Sequence, residues 1–133
     1  MIKVIAEAGS VHDGSFGNAK KLVDLASFCN ADIIKFQTHI AETETIKNAP
    51  RPSYFKDEDR YQYFKRTSFN FDQWKKLIAY CHQKKIDFMC SPFSVEAFNL
   101  LIKLDVRNIK IPSGEVNNLP LINEISKHKK INV

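Results

Sequence analysis

Apolar and polar positions in this chain follow two periods that take turns. Residues 2–8, IKVIAEA, alternate as a strand does, and the turn-rich GSVHDGSFG follows with Gly9, Gly14 and Gly17. Ala19, Leu22, Val23, Ala26 and Cys29 then recur at helical spacing, predicting an amphipathic helix over 18–30. ADIIKFQ (31–37) is a second strand, and a long polar and aromatic stretch runs from Thr38 to about Phe69. Asn70 with Gln73 has the form of a capping box, and Trp74, Leu77, Ile78 and Cys81 carry the helix stripe to about Lys84. IDFMCS (86–91) is a third strand ended by Pro92, and Val95, Phe98, Leu101 and Ile102 mark another helix. VRNIKIP (106–112) is a fourth strand. Asn118, with Pro120 in the first turn, opens a helix through Leu121, Ile122 and Ile125, and INV starts a fifth strand.

Strands that alternate with helices at this spacing predict an α/β fold with a parallel sheet wrapped by helices. An open doubly wound sheet and a (β/α)8 barrel both fit the pattern. No GxGxxG or Walker-type loop follows the first strand, which argues against nucleotide binding. The 133 residues suffice for one domain with its own core, but a complete barrel takes roughly 250. The barrel reading is therefore an N-terminal half, about four βα units plus the start of a fifth strand.

The polar residues gather at strand ends. On the second strand Ile34 and Phe36 share one face, while Lys35 and Gln37 share the other. On the fourth, Ile109 and Ile111 pack on helices and turn Lys110 to the opposite side. The first strand ends in Glu7 and the third in Ser91. The carboxyl ends of parallel strands form one rim, where ligands bind. Glu7, Lys35, Gln37, Ser91, Lys110, Ser113 and Glu115 are thus expected around one site. Two ammonium groups with hydroxyls suit a phosphate or carboxylate, and Gly114 lets backbone approach a ligand. Carboxylates beside them move protons or hold sugar hydroxyls. The plainer alternative is that the lysines form ion pairs with Glu7 and Glu115.

Composition narrows the classes. Hydrophobic residues make up 44% and charged residues 26%, as in an ordinary soluble domain rather than a disordered one. The net charge of +5 is dispersed, without the basic stripe and stacking aromatics that nucleic acid requires, but it suits anionic small substrates. No apolar run spans a bilayer, and MIKVIAEAG lacks a secretory h-region, so no membrane partner and a cytoplasmic location are expected. Cys29, Cys81 and Cys90 form no CxxC pair and are expected to be reduced structural thiols.

Five stretches together resemble the sialic acid synthase family: IAEAGSVHDGSFGNA (5–19), ADIIKFQTHIAE (31–42), YFKDEDRYQYFKRTSFNFDQW (54–74), CSPFS (90–94) and KIPSGEVNNLPL (110–121). KFQT and KIPSGE with SPF between them form the specific combination. The resemblance implies the N-terminal part of a (β/α)8 TIM barrel and the condensation of phosphoenolpyruvate with an N-acylated hexosamine, a carbohydrate-biosynthesis step of the lipopolysaccharide or capsule type. It implies that Lys35, Ser91, Lys110 and Ser113 hold the phosphate and carboxylate of phosphoenolpyruvate. Glu115 would contact the acceptor sugar, with Glu7 and Gln37 as further lining positions. A divalent metal, Mn or Mg, would polarise the aldehyde.

Several departures qualify the resemblance. Relatives commonly read Asn-His after the first glycine, where Val11-His12 stands here. The family's metal-binding histidines lie on later strands, and its antifreeze-like domain, which supplies an arginine to the partner subunit's site, follows the barrel. His12, His39, His82 and His128 do not replace the metal ligands by motif. A truncated or split chain, inactive alone, is therefore expected, with strands one and four as open edges that bind a second copy or a complementary half. Two alternatives stay open: another phosphoenolpyruvate–aldose condensing enzyme, or a non-catalytic, self-associating barrel relic that binds anions. The stretch 38–69, with Tyr54, Phe55, Tyr61, Tyr63 and Phe64, is a lid over the sugar site, a subunit contact, or a surface loop with a short helix. Trp74 is expected in the core.

Overall fold

The structure is a computed structural model that describes residues 2–50 and 58–133; Tyr54 and Phe55 lie outside the described residues. In chain order the elements are β1 (Ile5–Gly9), α1 (Phe16–Phe28), β2 (Ile33–Thr38), α2 (Ala41–Glu44), α3 (Arg60–Thr67), α4 (Phe71–Gln83), β3 (Asp87–Pro92), α5 (Val95–Lys103), β4 (Asn108–Ile109), a 3-10 turn (Ser113–Glu115) and α6 (Leu119–Ser126).

All four strands are parallel and lie in the order β1-β2-β3-β4. A doubly wound sheet reverses its strand order at a switch point. Here each strand lies beside its predecessor, as in a (β/α)8 barrel, so strand order settles what the hydrophobic pattern left open. The fold is part of such a barrel.

The same local device closes three successive βα units. Asn30, Lys85 and Asp105 adopt positive φ of 57°, 56° and 56° just after α1, α4 and α5. The following residues Ala31, Ile86 and Val106 then donate backbone hydrogen bonds to Ala26, Cys81 and Leu101, three residues from each helix end. This is a Schellman ending, and it aims the chain into the next strand. Helix starts are equally local. Ser15, Asn70, Ser94 and Asn118 cap α1, α4, α5 and α6 through their side-chain oxygens, and Asn70 with Gln73 completes the expected capping box.

The core lies between the helices and the outer face of the sheet, where Ile34, Phe36, Phe88 and Ile109 meet Val23, Leu77, Phe98 and Leu121. Trp74 is buried there, edge-on to Phe36 and Phe88. The long connection is not structureless: α2 and α3 form a separate cluster of Ala41, Tyr61 and Phe64, with Tyr63 against it.

Some boundaries differ from the sequence pattern. The fourth strand is only Asn108–Ile109 rather than 106–112. One further bond, from Lys110 N to Cys90 O, extends it; Pro112 has no N–H to continue, and the chain turns into the 3-10 segment. β1 starts at Ile5 rather than at residue 2, because the Val4 amide is taken by the Asp32 carboxylate at 2.7 Å. The fifth strand begins as expected: Asn132 bridges Asn108 in parallel, so β4 has a neighbour and is not the bare edge expected of it. Among the described residues β1 pairs only with β2. Beside it Val4, Leu25 and Phe28 are exposed, and a cleft of about 320 Å³ runs between Val4, Ala6, Leu22 and Leu25. No described helix is long and apolar enough to cross a membrane.

Candidate active site

Parallel register sorts the polar residues into two rows on the inner face of the sheet. Glu7, Lys35, Met89 and Asn108 are partners across β1 to β4. Two residues further along, Gln37 is opposite Ser91, and the Lys110 N–Cys90 O bond places Lys110 at the next position. Both rows face away from the helices because Ile34, Phe36, Phe88 and Cys90, at the alternating positions, are in the core.

The β1–β2 side of this rim is tightly connected. Lys35 is buried, and its Nζ donates to Glu7 Oε1 at 2.5 Å; their side chains are 5% and 63% exposed. A buried ammonium with one partner is costly to strip, whereas the carboxylate on the solvent side is easily exchanged. Gln37 Oε1 accepts from the Ser10 hydroxyl at 3.2 Å and lies 3.4 Å from His39 Nε2. Ser91 is buried. Ser94 caps α5, and its hydroxyl accepts from Thr43 at 2.9 Å.

The β4 side is open. Lys110, Ser113 and Gly114 are exposed, and Glu115 is half-buried. Glu115 Oε2 accepts from Asn118 Nδ2 at 2.7 Å, so the carboxylate is tied to the residue that caps α6. The expected lysine pairing is thus realised for Lys35 with Glu7, while no ion pair joins Lys110 to Glu115 among the described residues. The structure brings together Glu7, Lys35, Gln37, Ser91 and Lys110, and leaves Ser113 and Glu115 on the turn beyond them.

Two histidines sit behind the β1–β2 side. His12 is 1% exposed, stacks on Phe69 at 4.4 Å, and accepts at Nδ1 from the Gly14 amide. Its Nε2 is buried without a partner, and burial holds its pKa down to about 4. His39 lies between the rings of Phe64 and Phe93, each 4.1 Å away, with Nδ1 at 2.8 and 3.1 Å from the Glu44 oxygens. No sequence pattern marks this pair, because a His and a Glu five apart, in HIAETE, match no helical or strand spacing. Burial also pushes the Cys81 and Cys90 thiols up to about 12, so both are inert; Cys29 is exposed.

The cleft beside β1 touches this rim through Glu7. Another cleft, of about 460 Å³, lies at the opposite ends of the strands between Ile102, Arg107, Lys129 and Ile131.

Comparison with known proteins decides the family. Residues 22–133 match the NeuB family. The chain belongs to it. It is 36% identical to the N,N'-diacetyllegionaminic acid synthase of Campylobacter jejuni, over 96% of this chain and 40% of that protein. It is 32% identical to the N-acetylneuraminate-9-phosphate synthase of Mus musculus, over 93% of this chain and 36% of that protein. The crystal structure of an N-acetylneuraminic acid synthetase from Leptospira borgpetersenii, in complex with citrate, superimposes with a TM-score of 0.79 at 27% identity, covering 95% of this chain and 41% of that one. The chain thus spans about two-fifths of the length of these NeuB-family relatives.

The divalent metal expected from the resemblance raises the question of a site for it. Among the described residues no three His, Cys, Asp or Glu side chains converge on a common point. His39 is engaged by Glu44 and Gln37, while His12 is bonded at Nδ1 to the Gly14 amide and its free Nε2 belongs to no such group of side chains. These residues do not fit a divalent-metal centre.

Proposed function

We propose that this chain forms the phosphoenolpyruvate-binding part of a synthase that joins phosphoenolpyruvate to an N-acylated hexosamine of the N-acetylmannosamine type, giving a nonulosonic acid and phosphate. The observation that carries this reading is the register-matched pair of rows, with Lys35, Gln37, Ser91 and Lys110 facing one side at the strand ends. Membership of the NeuB family, with relatives named as acid synthases, supports it.

In this reading Lys35, Ser91, Lys110 and Ser113 hold the phosphate and carboxylate. An arriving anion displaces the exposed Glu7 carboxylate from Lys35, which keeps the buried ammonium paired throughout. C3 of phosphoenolpyruvate bonds to the aldehyde carbon of the open-chain sugar, whose oxygen takes up a proton. Water adds at C2 and loses a proton, and the C2–O bond to phosphate then breaks, leaving the keto group. The ammonium groups stabilise charge developing on the aldehyde and phosphate oxygens. Glu7 is free to move a proton once released, and Glu115 contacts the acceptor. The open β1 strand, with Val4 and Phe28 exposed beside it, favours closure by further barrel strands from a second copy or a complementary half.

The test is phosphate release from phosphoenolpyruvate with N-acetylmannosamine and manganese, beside the thermal midpoint with phosphoenolpyruvate alone. The chain alone is expected to be inactive but raised in midpoint by phosphoenolpyruvate, an effect abolished in Lys35→Ala. Turnover by the isolated chain would contradict its dependence on further strands. No protection at millimolar phosphoenolpyruvate would favour a relic without this site.

A further inference from the structure

The His39–Glu44 pair is the best-built polar arrangement outside the residues already assigned. Both side chains are nearly sealed from solvent, at 5% and 4% exposure. A carboxylate has only acceptors, so Nδ1 of His39 carries a hydrogen and donates to Glu44. The rings of Phe64 and Phe93 lie over both faces of the imidazole and leave it no freedom to tilt. Ser68 bonds the His39 carbonyl at 2.8 Å, fixing the backbone as well. The remaining nitrogen, Nε2, points at Gln37 Oε1, 3.4 Å away.

We propose that His39, held by Glu44, is a positioning residue that orients the Gln37 amide, keeping its oxygen on His39 and Ser10 and its NH2 available to a ligand at the rim. This deepens the synthase reading and rests on it for the identity of the ligand. His39 Nε2 and the Ser10 hydroxyl both reach Gln37 Oε1, at 3.4 and 3.2 Å; in the proposed orientation both donate to it, with a hydrogen on each ring nitrogen of His39. The amide NH2 has no acceptor among the described residues, and the amide as a whole packs over Gly9. A Cβ at Gly9 would come within 3.7 Å of Gln37 Cδ and Oε1. An NH2 group there donates to a ligand's acceptor oxygen, such as that of a carboxylate or phosphate. An amide turned the other way would present its carbonyl to the same anion and repel it. The SPF element gains a role through this arrangement: Ser91 faces the rim, and Phe93 backs the imidazole that aims Gln37.

The experiment uses the full chain labelled with 15N, with long-range proton–nitrogen spectra of the imidazoles and side-chain amides at neutral pH. Both His39 nitrogens are expected to appear protonated, and the Gln37 NH2 signals to shift when phosphoenolpyruvate is added. Glu44→Gln, a near-isosteric change, is expected to convert Nε2 to an unprotonated nitrogen, move the Gln37 NH2 signals before any ligand is present, and weaken phosphoenolpyruvate binding about tenfold. His39→Asn is expected to weaken binding similarly, but Glu44→Gln decides the matter if that variant fails to fold. A bare Nε2 in the wild type, or unchanged Gln37 NH2 signals in Glu44→Gln, overturns the proposal. If the wild type shows both nitrogens protonated and an amide that responds to Glu44→Gln, yet binds no phosphoenolpyruvate, the orientation stands and the ligand assignment falls.

Discussion

The two sides of the rim hold similar residues in opposite conditions. On β1–β2, Lys35 is buried, paired with Glu7, and adjoined by a Gln37 whose oxygen is already engaged. On β4, Lys110 and Ser113 are exposed, and the Glu115 carboxylate is bonded to a helix cap. The difference follows from backing. β2 is paired on both sides and overlaid by the 10–14 loop, α2 and α3, whereas β4 is two residues long and gives way to a turn. A charge is preorganised where three or four elements converge behind it, and stays solvated where one turn carries it.

The strongest way to break the contrast is to dislodge the backing of the ordered side. Gly14 has φ +77°, and a Cβ there would lie 2.5 Å from the Arg66 carbonyl oxygen of α3. Gly14→Ala is expected to cost roughly 3 kcal/mol or more in urea unfolding, because strain at positive φ adds to a backbone clash. A loss under 1 kcal/mol would mean that α3 does not seat on this loop.

Acid attacks the same side. Burial holds His12 at about 4 against an ordinary 6.5, so between these values the unfolded chain binds a proton that the folded chain refuses. Stability is therefore full above pH 6.5 and falls as pH drops toward 4, by up to about 3 kcal/mol. His12→Asn, which keeps an acceptor for the Gly14 amide, is expected to flatten that window in unfolding free energy measured against pH.

The lysines sharpen the comparison directly. Lys35→Met is expected to weaken phosphoenolpyruvate binding by about a hundredfold and to shift the thermal midpoint, since it touches both ligand and packing. Lys110→Met is expected to weaken binding about tenfold while leaving the midpoint in place. Equal effects of the two on stability would erase the distinction. A smaller change is expected from Asn118→Ala, about 1 kcal/mol through the lost cap of α6, with Glu115 released. The smallest is chemical: in native protein a thiol reagent is expected to label Cys29 alone, Cys81 and Cys90 reacting only on unfolding.

Much of this was legible in the sequence, for reasons that differ by level. Helices and strands were readable because the caps at Asn70 and Asn118 and the stripes through Val23, Trp74 and Phe98 are local. The inner-face residues were readable because period two fixes a side chain's face once its neighbours are apolar, as Ile34 and Phe36 fix Lys35 and Gln37. Strand order was not, since the alternation of elements is the same in an open sheet and a barrel. Nor was the end of β4, set where Pro112 leads into the 3-10 turn, nor its pairing with Asn132 far along the chain. His39 and Glu44 were hidden because their meeting is made by the bend of α2 and by aromatic rings from α3 and the β3 exit.

The most direct measurement is a titration of the 15N-labelled chain with phosphoenolpyruvate, followed residue by residue through its amide shifts. Saturable shifts clustered at Lys35, Gln37, Ser91, Lys110 and Ser113 are expected, with Lys35→Met removing them. Shifts gathered instead around Arg107, Lys129 and Ile131, the basic cleft at the opposite ends of the strands, would contradict a site at the carboxyl-end rim.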